Sequence, residues 1–359
     1  MNEIDERKRS HLALCASEDV EHHGRTLLDD VHLLHDALPE LSIGEIDLGT
    51  ELLGRRLEAP ILISGMSGGT EEAGQLNRAL AAAAQKFGLG MGVGSQRAML
   101  LDPRTADSYR VRDVAPDILL LANLGAVQAR DAGPARVAAL IEAIGADALC
   151  IHLNAAQELV QDEGDRDFRG CAAAIERLVG EIPVPLVVKE TGCGLGPRAL
   201  ARLRESGVRW VDVSGAGGTS WTGVEALRGS ARQRALGLEL REWGIPTAAA
   251  ITYAARAGLR VIASGGIRGP RDVANALALG ADAVALALPF LRAYHEADAP
   301  GVILAAERLI ESLRVVTLLT GARRASELQR AARVIGGELR LWIENELWIE
   351  KEVRIGERA

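Results

Sequence analysis

At 359 residues the chain is long for an average domain, yet a β/α barrel of about 250 residues with added segments accommodates that length around one core. A hydrophobic fraction of 48%, 39 glycines and 3% aromatics describe an aliphatic core under many tight loops and exclude a disordered or fibrous chain. The net charge of -8, from 41 Lys plus Arg against 49 Asp plus Glu, argues against a nucleic-acid footprint or an anionic membrane surface, so any bound anion must be gripped by a local cluster.

The chain opens on MNEIDERKRSH, charged where a signal peptide would be apolar, and no run approaches the roughly 18 apolar residues of a membrane span. A cytoplasmic protein is expected. Cys15, Cys150, Cys171 and Cys193 are dispersed without a C-x-x-C pair, which speaks against a disulfide framework or a zinc site. His22, His23, His32 and His35 have irregular spacing and polar neighbours, so a surface role is expected for them. Two extended pieces, EIDLGT and ELLGRRL, close the N-terminal extension, residues 1–59, which is read as a lid or plug beside the barrel.

From Pro60 a short apolar run ending in Gly, Asn or Ser recurs, each followed by an Ala-rich amphipathic stretch. The candidate strands are ILIS at 61, LGMGV at 89, ILLLAN at 118, ALCIHL at 148, PLVVKE at 185, WVDVS at 210, LRVIAS at 259 and DAVALAL at 282. Helical patterns such as GQLNRALAAAAQKF, PARVAALIEAI, RDVANALALG and GVILAAERLIESLRVVTLL lie between or after them. Strands apolar on both faces indicate a parallel sheet covered by helices. Polar residues at strand C-termini all around the series favour a closed TIM (β/α)8 barrel, of the α/β class, over an open doubly wound sheet. The barrel is placed at 60–325 and a C-terminal helical tail at 326–359, with Trp342 and Trp348 suited to packing or subunit contact.

The strand ends carry the chemistry. GMSGG (Gly65 to Gly69) offers backbone N–H groups to a flat or phosphorylated ligand. GVGSQR has Arg97 where a dinucleotide fingerprint needs its third glycine, which disfavours a Rossmann reading. Asn123 could merely cap the next helix. HLNAAQE crowds His152, Asn154, Gln157 and Glu158 onto one strand end; singly, His152 reads as a core histidine and Glu158 as solvated, but together they favour a site. Lys189 follows an apolar run, where burial is costly without an anionic partner, be it Glu190, a neighbouring carboxylate or a ligand. The glycine-rich GAGGTSW loop follows the sixth strand. Glycines in SGGI after the seventh strand and a helix start after the eighth, at Ala287 and Leu288, form a phosphate grip.

In this order and spacing, GMSGG, GVGSQR, ANLG, HLNAAQE, VKETG, GAGGTSW and SGGI, with N-terminal RKRSH, resemble the type 2 isopentenyl diphosphate isomerases from about residue 4 to about residue 343. Ser67 stands where that family often has Thr, and the tail beyond about Glu344 has no recognised counterpart. The resemblance implies FMN contacts from Met66, Ser67, Gly68, Ser95, Asn123, Lys189, Thr219, Gly265, Gly266, Ala287 and Leu288. It implies a diphosphate substrate surrounded by Arg7, Lys8, Arg97, His152, Asn154 and Gln157, with Glu158 on a Mg²⁺ ion. Gln157, Glu158 and Lys189 are the implied catalytic residues, NADPH the reductant of the flavin, and a homo-oligomer, tetramer or octamer, the assembly. Two other readings compete with it. An FMN oxidoreductase of 2-hydroxy acids would want a His and Arg pair late in the chain, where His295 is the sole histidine after the fourth strand. A silent flavin-binding barrel would leave HLNAAQE and the N-terminal cations without a purpose.

Overall fold

The computed structural model describes residues 3–344; Trp348 and the remainder of the expected tail lie outside the described residues. Eight parallel strands close into a barrel: β1 (Ile61–Ile63), β2 (Gly90–Gly92), β3 (Leu119–Gly125), β4 (Ala148–Leu153), β5 (Leu186–Glu190), β6 (Trp210–Asp212), β7 (Arg260–Ala263) and β8 (Ala283–Leu286). Closure is made by β8 against β1, with Val284 opposite Ile61 and Leu286 opposite Ile63. These are the eight expected strands; six are trimmed at their ends, β4 keeps its expected bounds, and β3 starts one residue later and runs on to Gly125.

Both faces of each strand are apolar because each face meets a different core. Leu62, Leu119, Leu121, Ala148, Val187, Ile262, Ala283 and Ala285 fill the interior, whereas Ile61, Ile63, Leu120, Ala122, Leu149 and Val188 pack against the surrounding helices. The strand period of two makes this division, and continued toward the C-terminal ends it aims Ser64, Asn123, His152, Lys189, Asp212 and Ser264 inward. The inward set is thus apolar along the barrel and polar at its top.

The N-terminal extension covers both ends of the barrel. Strands Thr50–Leu52 and Arg55–Leu57 pair as an antiparallel hairpin, and its Leu52, Leu53 and Leu57 join the interior core as a plug. At the opposite end, helix Glu3–Ser17 lies over the polar layer, and the following segment ties down the glycine-rich loop through His22 N–H to Gly218 O and Ser220 N–H to Val20 O. Lid and plug are separate pieces of one extension.

Helices depart from the expected pattern where proline intervenes. The helix Ala126–Ile144 breaks at Gly133 (φ 73°) ahead of Pro134, and Leu288–Leu319 breaks at Ala297 and Asp298 ahead of Pro300, since proline restricts the residue before it and lacks an N–H. The segment after 325 is not helical throughout. Residues Arg333–Ile335 form a strand antiparallel to Val31–Leu33, and only then does helix Gly337–Glu344 follow. It is docked by Tyr253 Oη donating to Trp342 O at 3.0 Å and by Leu339 N–H donating to the Asp30 carboxylate at 2.9 Å. No helix among the described residues is long and apolar enough to cross a membrane.

Candidate active site

The C-terminal ends of the strands and the N-terminal helix line a cavity that opens to solvent on one side. Its lower wall is a glycine cradle. Gly265 and Gly266 adopt φ of +97° and +69°, and a Cβ on either would overlap the carbonyl oxygens of Gly215 and Gly217. Only glycine permits both this backbone and this close approach. Gly65 is held as tightly, since a Cβ there would overlap Val93 O. Beside the cradle, helix Leu288–Leu319 begins at the cavity wall with no side-chain cap; Pro289 has no N–H and the Phe290 and Leu291 N–H groups donate to Ala287 O, which leaves the Leu288 N–H and the positive end of the helix dipole for an anion.

β4 and the short helix Ala155–Val160 form a polar wall. Asn123 Nδ2 donates to Val93 O at 3.0 Å, which fixes the amide and turns its Oδ1 toward His152 Nδ1 at 2.8 Å. That contact needs a proton on Nδ1, so Nε2 is the acceptor side of a neutral ring. Burial, with the charges of Lys189 and Arg97, pushes the imidazole down to about 4. Glu158 is buried and accepts from Asn154 Nδ2 at 2.9 Å and from Asp165 N–H at 2.8 Å. Gln157 Nε2 donates to Glu225 Oε1 at 3.0 Å.

Glu225 was not singled out from the sequence. It is fully buried on helix Trp221–Arg228, where it also accepts from Gln161 at 2.6 Å, meets His11 at 2.8 Å and pairs with Arg228 at 2.6 Å. Burial alone would raise its pKa; hydrogen bonds from His11 and Gln157 and the charge of Arg228 hold it at about 2. This carboxylate joins the N-terminal helix to Gln157. In the sequence it sits in an ordinary amphipathic stretch, WTGVEALR, and carries no distinguishing signal.

Lys189 lines the cavity and is also paired: its Nζ lies 2.7 Å from Asp212 Oδ2 and 3.1 Å from Ser264 Oγ. The carboxylate partner is therefore Asp212, not Glu190. Strand alternation sends Glu190 to the other face, where its Oε2 accepts N–H bonds from Thr191, Cys193 and Gly194 and orders the loop after β5. Asp212 was missed too, although a carboxylate ending the apolar strand WVD was a legible sign.

The N-terminal helix supplies the roof. Arg7, Lys8, His11, Leu12 and Cys15 line the cavity from one face of that helix, and His11 meets the Trp221 ring edge-on at 5.2 Å between centroids. Burial and the adjacent charge of Arg97 push the Arg7 guanidinium below its ordinary pKa. Two cations thus face one space, while Glu163 approaches Arg7 at 4.0 Å and Asp165 approaches Arg97 at 3.7 Å. Lys8 contacts the carbonyl oxygens of Gly68 and Ser95 and the Tyr109 hydroxyl, so it pins the roof to the first two strand loops as well as facing the cavity.

The cavity wall brings together Arg7, Lys8, Met66, Ser67, Ser95, Arg97, Asn123, His152, Asn154, Gln157, Glu158, Lys189, Thr219, Gly265, Gly266, Ala287 and Leu288. Gly68 is not on it: its carbonyl turns to Lys8, and a Cβ there would overlap the Tyr109 ring. His295 is exposed on helix Leu288–Leu319 and away from the wall.

Residues 152–334 match a family described as FMN-dependent dehydrogenase. The isopentenyl-diphosphate delta-isomerase of Thermococcus onnurineus (strain NA1) is 44% identical over 353 residues, covering 95% of this chain and 94% of that protein. The enzyme of the same name from Halobacterium salinarum is 46% identical over 352 residues, covering 95% and 96%, and that from Synechococcus sp. is 50% identical over 300 residues, covering 82% and 86%. Among solved structures, a mandelate oxidase mutant with the monooxide FMN adduct superposes with a TM-score of 0.62 at 18% identity, over 91% of this chain and 92% of that chain. A putative lactate oxidase of Pediococcus acidilactici gives a TM-score of 0.66 at 16% identity, over 93% and 94%. At such identities the likeness to the oxidases is one of fold alone.

Proposed function

Because the chain belongs to the isopentenyl-diphosphate delta-isomerase family, we propose that it interconverts isopentenyl and dimethylallyl diphosphate, with FMN seated in the cavity at the top of the barrel. The observation that carries this reading is that the polar wall of β4 and the paired cations Arg7 and Arg97 share one cavity with the glycine cradle. A phosphate-bearing flavin and an anionic substrate can then lie face to face. The glycine cradle and the uncapped helix at Leu288 fit the flavin phosphate, and Lys189, Asn123, Ser95 and Met66 fit its ring system. Bound there in reduced form, FMN supplies an electron-rich surface that stabilises positive charge and a nitrogen able to relay protons.

Moving the double bond requires protonating an unactivated alkene and removing a proton elsewhere, and side-chain acid–base groups contribute only about 10²–10⁴-fold each. The residues here serve mainly to bind and orient. Arg7 and Arg97 clamp the diphosphate through charge-assisted hydrogen bonds. Glu158, buried at the cavity wall, would hold a Mg²⁺ ion brought in by the diphosphate, and that ion would supply charge neutralisation of the phosphate oxygens. Asn154 and the Asp165 N–H aim that carboxylate. Gln157, held by Glu225, orients the reacting end, and the roof of Leu12, Cys15 and Trp221 keeps water from a developing cation.

A 2-hydroxy-acid oxidoreductase is the less suited reading, because His295 is exposed and off the cavity wall. The decisive experiment is anaerobic: reduce the FMN-loaded enzyme once with NADPH or dithionite, remove excess reductant, add isopentenyl diphosphate, and count product against flavin. Substrate and product are isomers, so product should far exceed flavin with the spectrum still that of reduced FMN. One product per flavin, or reoxidation in step with turnover, would show that electrons leave with the product and would refute the reading.

A further inference from the structure

Lys189 and Asp212 are register partners on adjacent strands β5 and β6, both aimed into the barrel. Their side chains are 13% and 5% exposed at an N···O distance of 2.7 Å. Two charges buried this far persist only as a pair with their remaining valences satisfied. Ser264 on the far side bridges them, receiving from Lys189 Nζ and donating to Asp212 Oδ1, and Ser214 N–H donates to the same oxygen. Asp212 and Ser264 take two of the three ammonium hydrogens, leaving one for a ligand.

The two partners differ in where they stand. Lys189 lines the main cavity, whereas Asp212 lines only the smaller one beneath it, shared with Asn123, Cys150 and Lys189. The carboxylate therefore lies behind the ammonium as seen from a bound ring. With His152 neutral, the floor presents one cation backed by one anion, a dipole rather than a bare positive charge. A bare ammonium a few Å from a flavin would favour its reduced, anionic form strongly; a carboxylate directly behind offsets much of that field.

We propose that Asp212 is a positioning residue for Lys189, holding its ammonium in place and balancing its charge, and that this pair sets how far the site favours reduced over oxidised flavin. The inference rests on the reading that FMN occupies the cavity with its ring against Lys189. It is a statement about the cofactor's potential, which activity alone does not report.

The test is a potentiometric titration of the FMN-loaded enzyme at one fixed pH, with the affinities for oxidised and reduced FMN measured separately. Asp212→Asn should raise the midpoint potential, favouring reduced flavin about tenfold, or about 30 mV for a two-electron couple. Lys189→Met should lower it, and Asp212→Glu, restoring the charge, should return it to near the wild-type value. A merely structural role for Asp212 would weaken both redox states alike and leave the potential in place. If Lys189→Met lowers the potential but Asp212→Asn does not raise it, the inference about Asp212 is wrong while the placement of the flavin stands. If Lys189→Met moves nothing although FMN stays bound, that placement fails and the inference falls with it. Should Asp212→Asn not retain flavin, Asp212→Ser, which leaves room for water at the carboxylate position, carries the same expectation and the same refutation.

Discussion

Replacing His152 with Asn removes a buried imidazole while keeping an N–H for the Oδ1 of Asn123. In the folded protein the ring is pushed from its ordinary 6.5 down to about 4 by burial and by the charges of Lys189 and Arg97. As pH falls through 6.5 the unfolded chain binds the proton first, so His152 contributes stability above that pH and loses it on acidification. The loss is complete near pH 4, where the folded state also binds the proton. At about 1.4 kcal/mol per pKa unit, the gap from 6.5 to about 4 amounts to about 3 kcal/mol. Urea unfolding of the wild type and of His152→Asn across this range should therefore give stability curves that converge by about that amount as the pH falls. Parallel curves would show that the ring is not held neutral by its surroundings. A bound diphosphate should raise the same pKa, because a nearby anion favours the imidazolium, and the ring proton resonances of His152 would report it.

Glu158→Gln keeps the side-chain size but removes the charge offered to Mg²⁺, so kcat/KM should fall on the order of 10²-fold or more while FMN remains bound; near-normal turnover would remove Glu158 from that role. Arg7→Ala should chiefly raise KM for the diphosphate, by about tenfold or more, because binding is lost equally in ground and transition states. A fall in kcat with unchanged KM would contradict the clamp. Gly266→Ala places a Cβ at φ +69° against Gly217 O and should cost about 1–3 kcal/mol of stability and most of the FMN affinity. Wild-type flavin content in that variant would mean that the cradle does not need glycine there.

The sequence by itself determined the eight β/α units, since strands apolar on both faces suit a parallel sheet covered by helices; polar strand ends favoured a closed barrel over an open sheet, and the pairing of β8 with β1 decided it. It also picked out loops that line the cavity, because HLNAAQE and the two glycine-rich loops concentrate residue types that a bland surface does not need. Their assembly into one cavity was implied by the family resemblance, and the structure brings every residue named from it except Gly68 to the cavity wall. Tertiary structure decided the pairings. Lys189 and Asp212 stand 23 positions apart, and the register of β5 beside β6 makes them partners, while strand alternation leaves Glu190 facing outward. Glu225 is further still from Gln157 and His11 in the chain, and its value comes wholly from being buried where the roof helix crosses the β4 wall. Lys8 reads as one more substrate cation until the fold brings it against Gly68, Ser95 and Tyr109. In each case the deciding quantity was a distance between elements remote in the chain, set by strand order and by where the roof helix crosses, which local residue patterns do not encode.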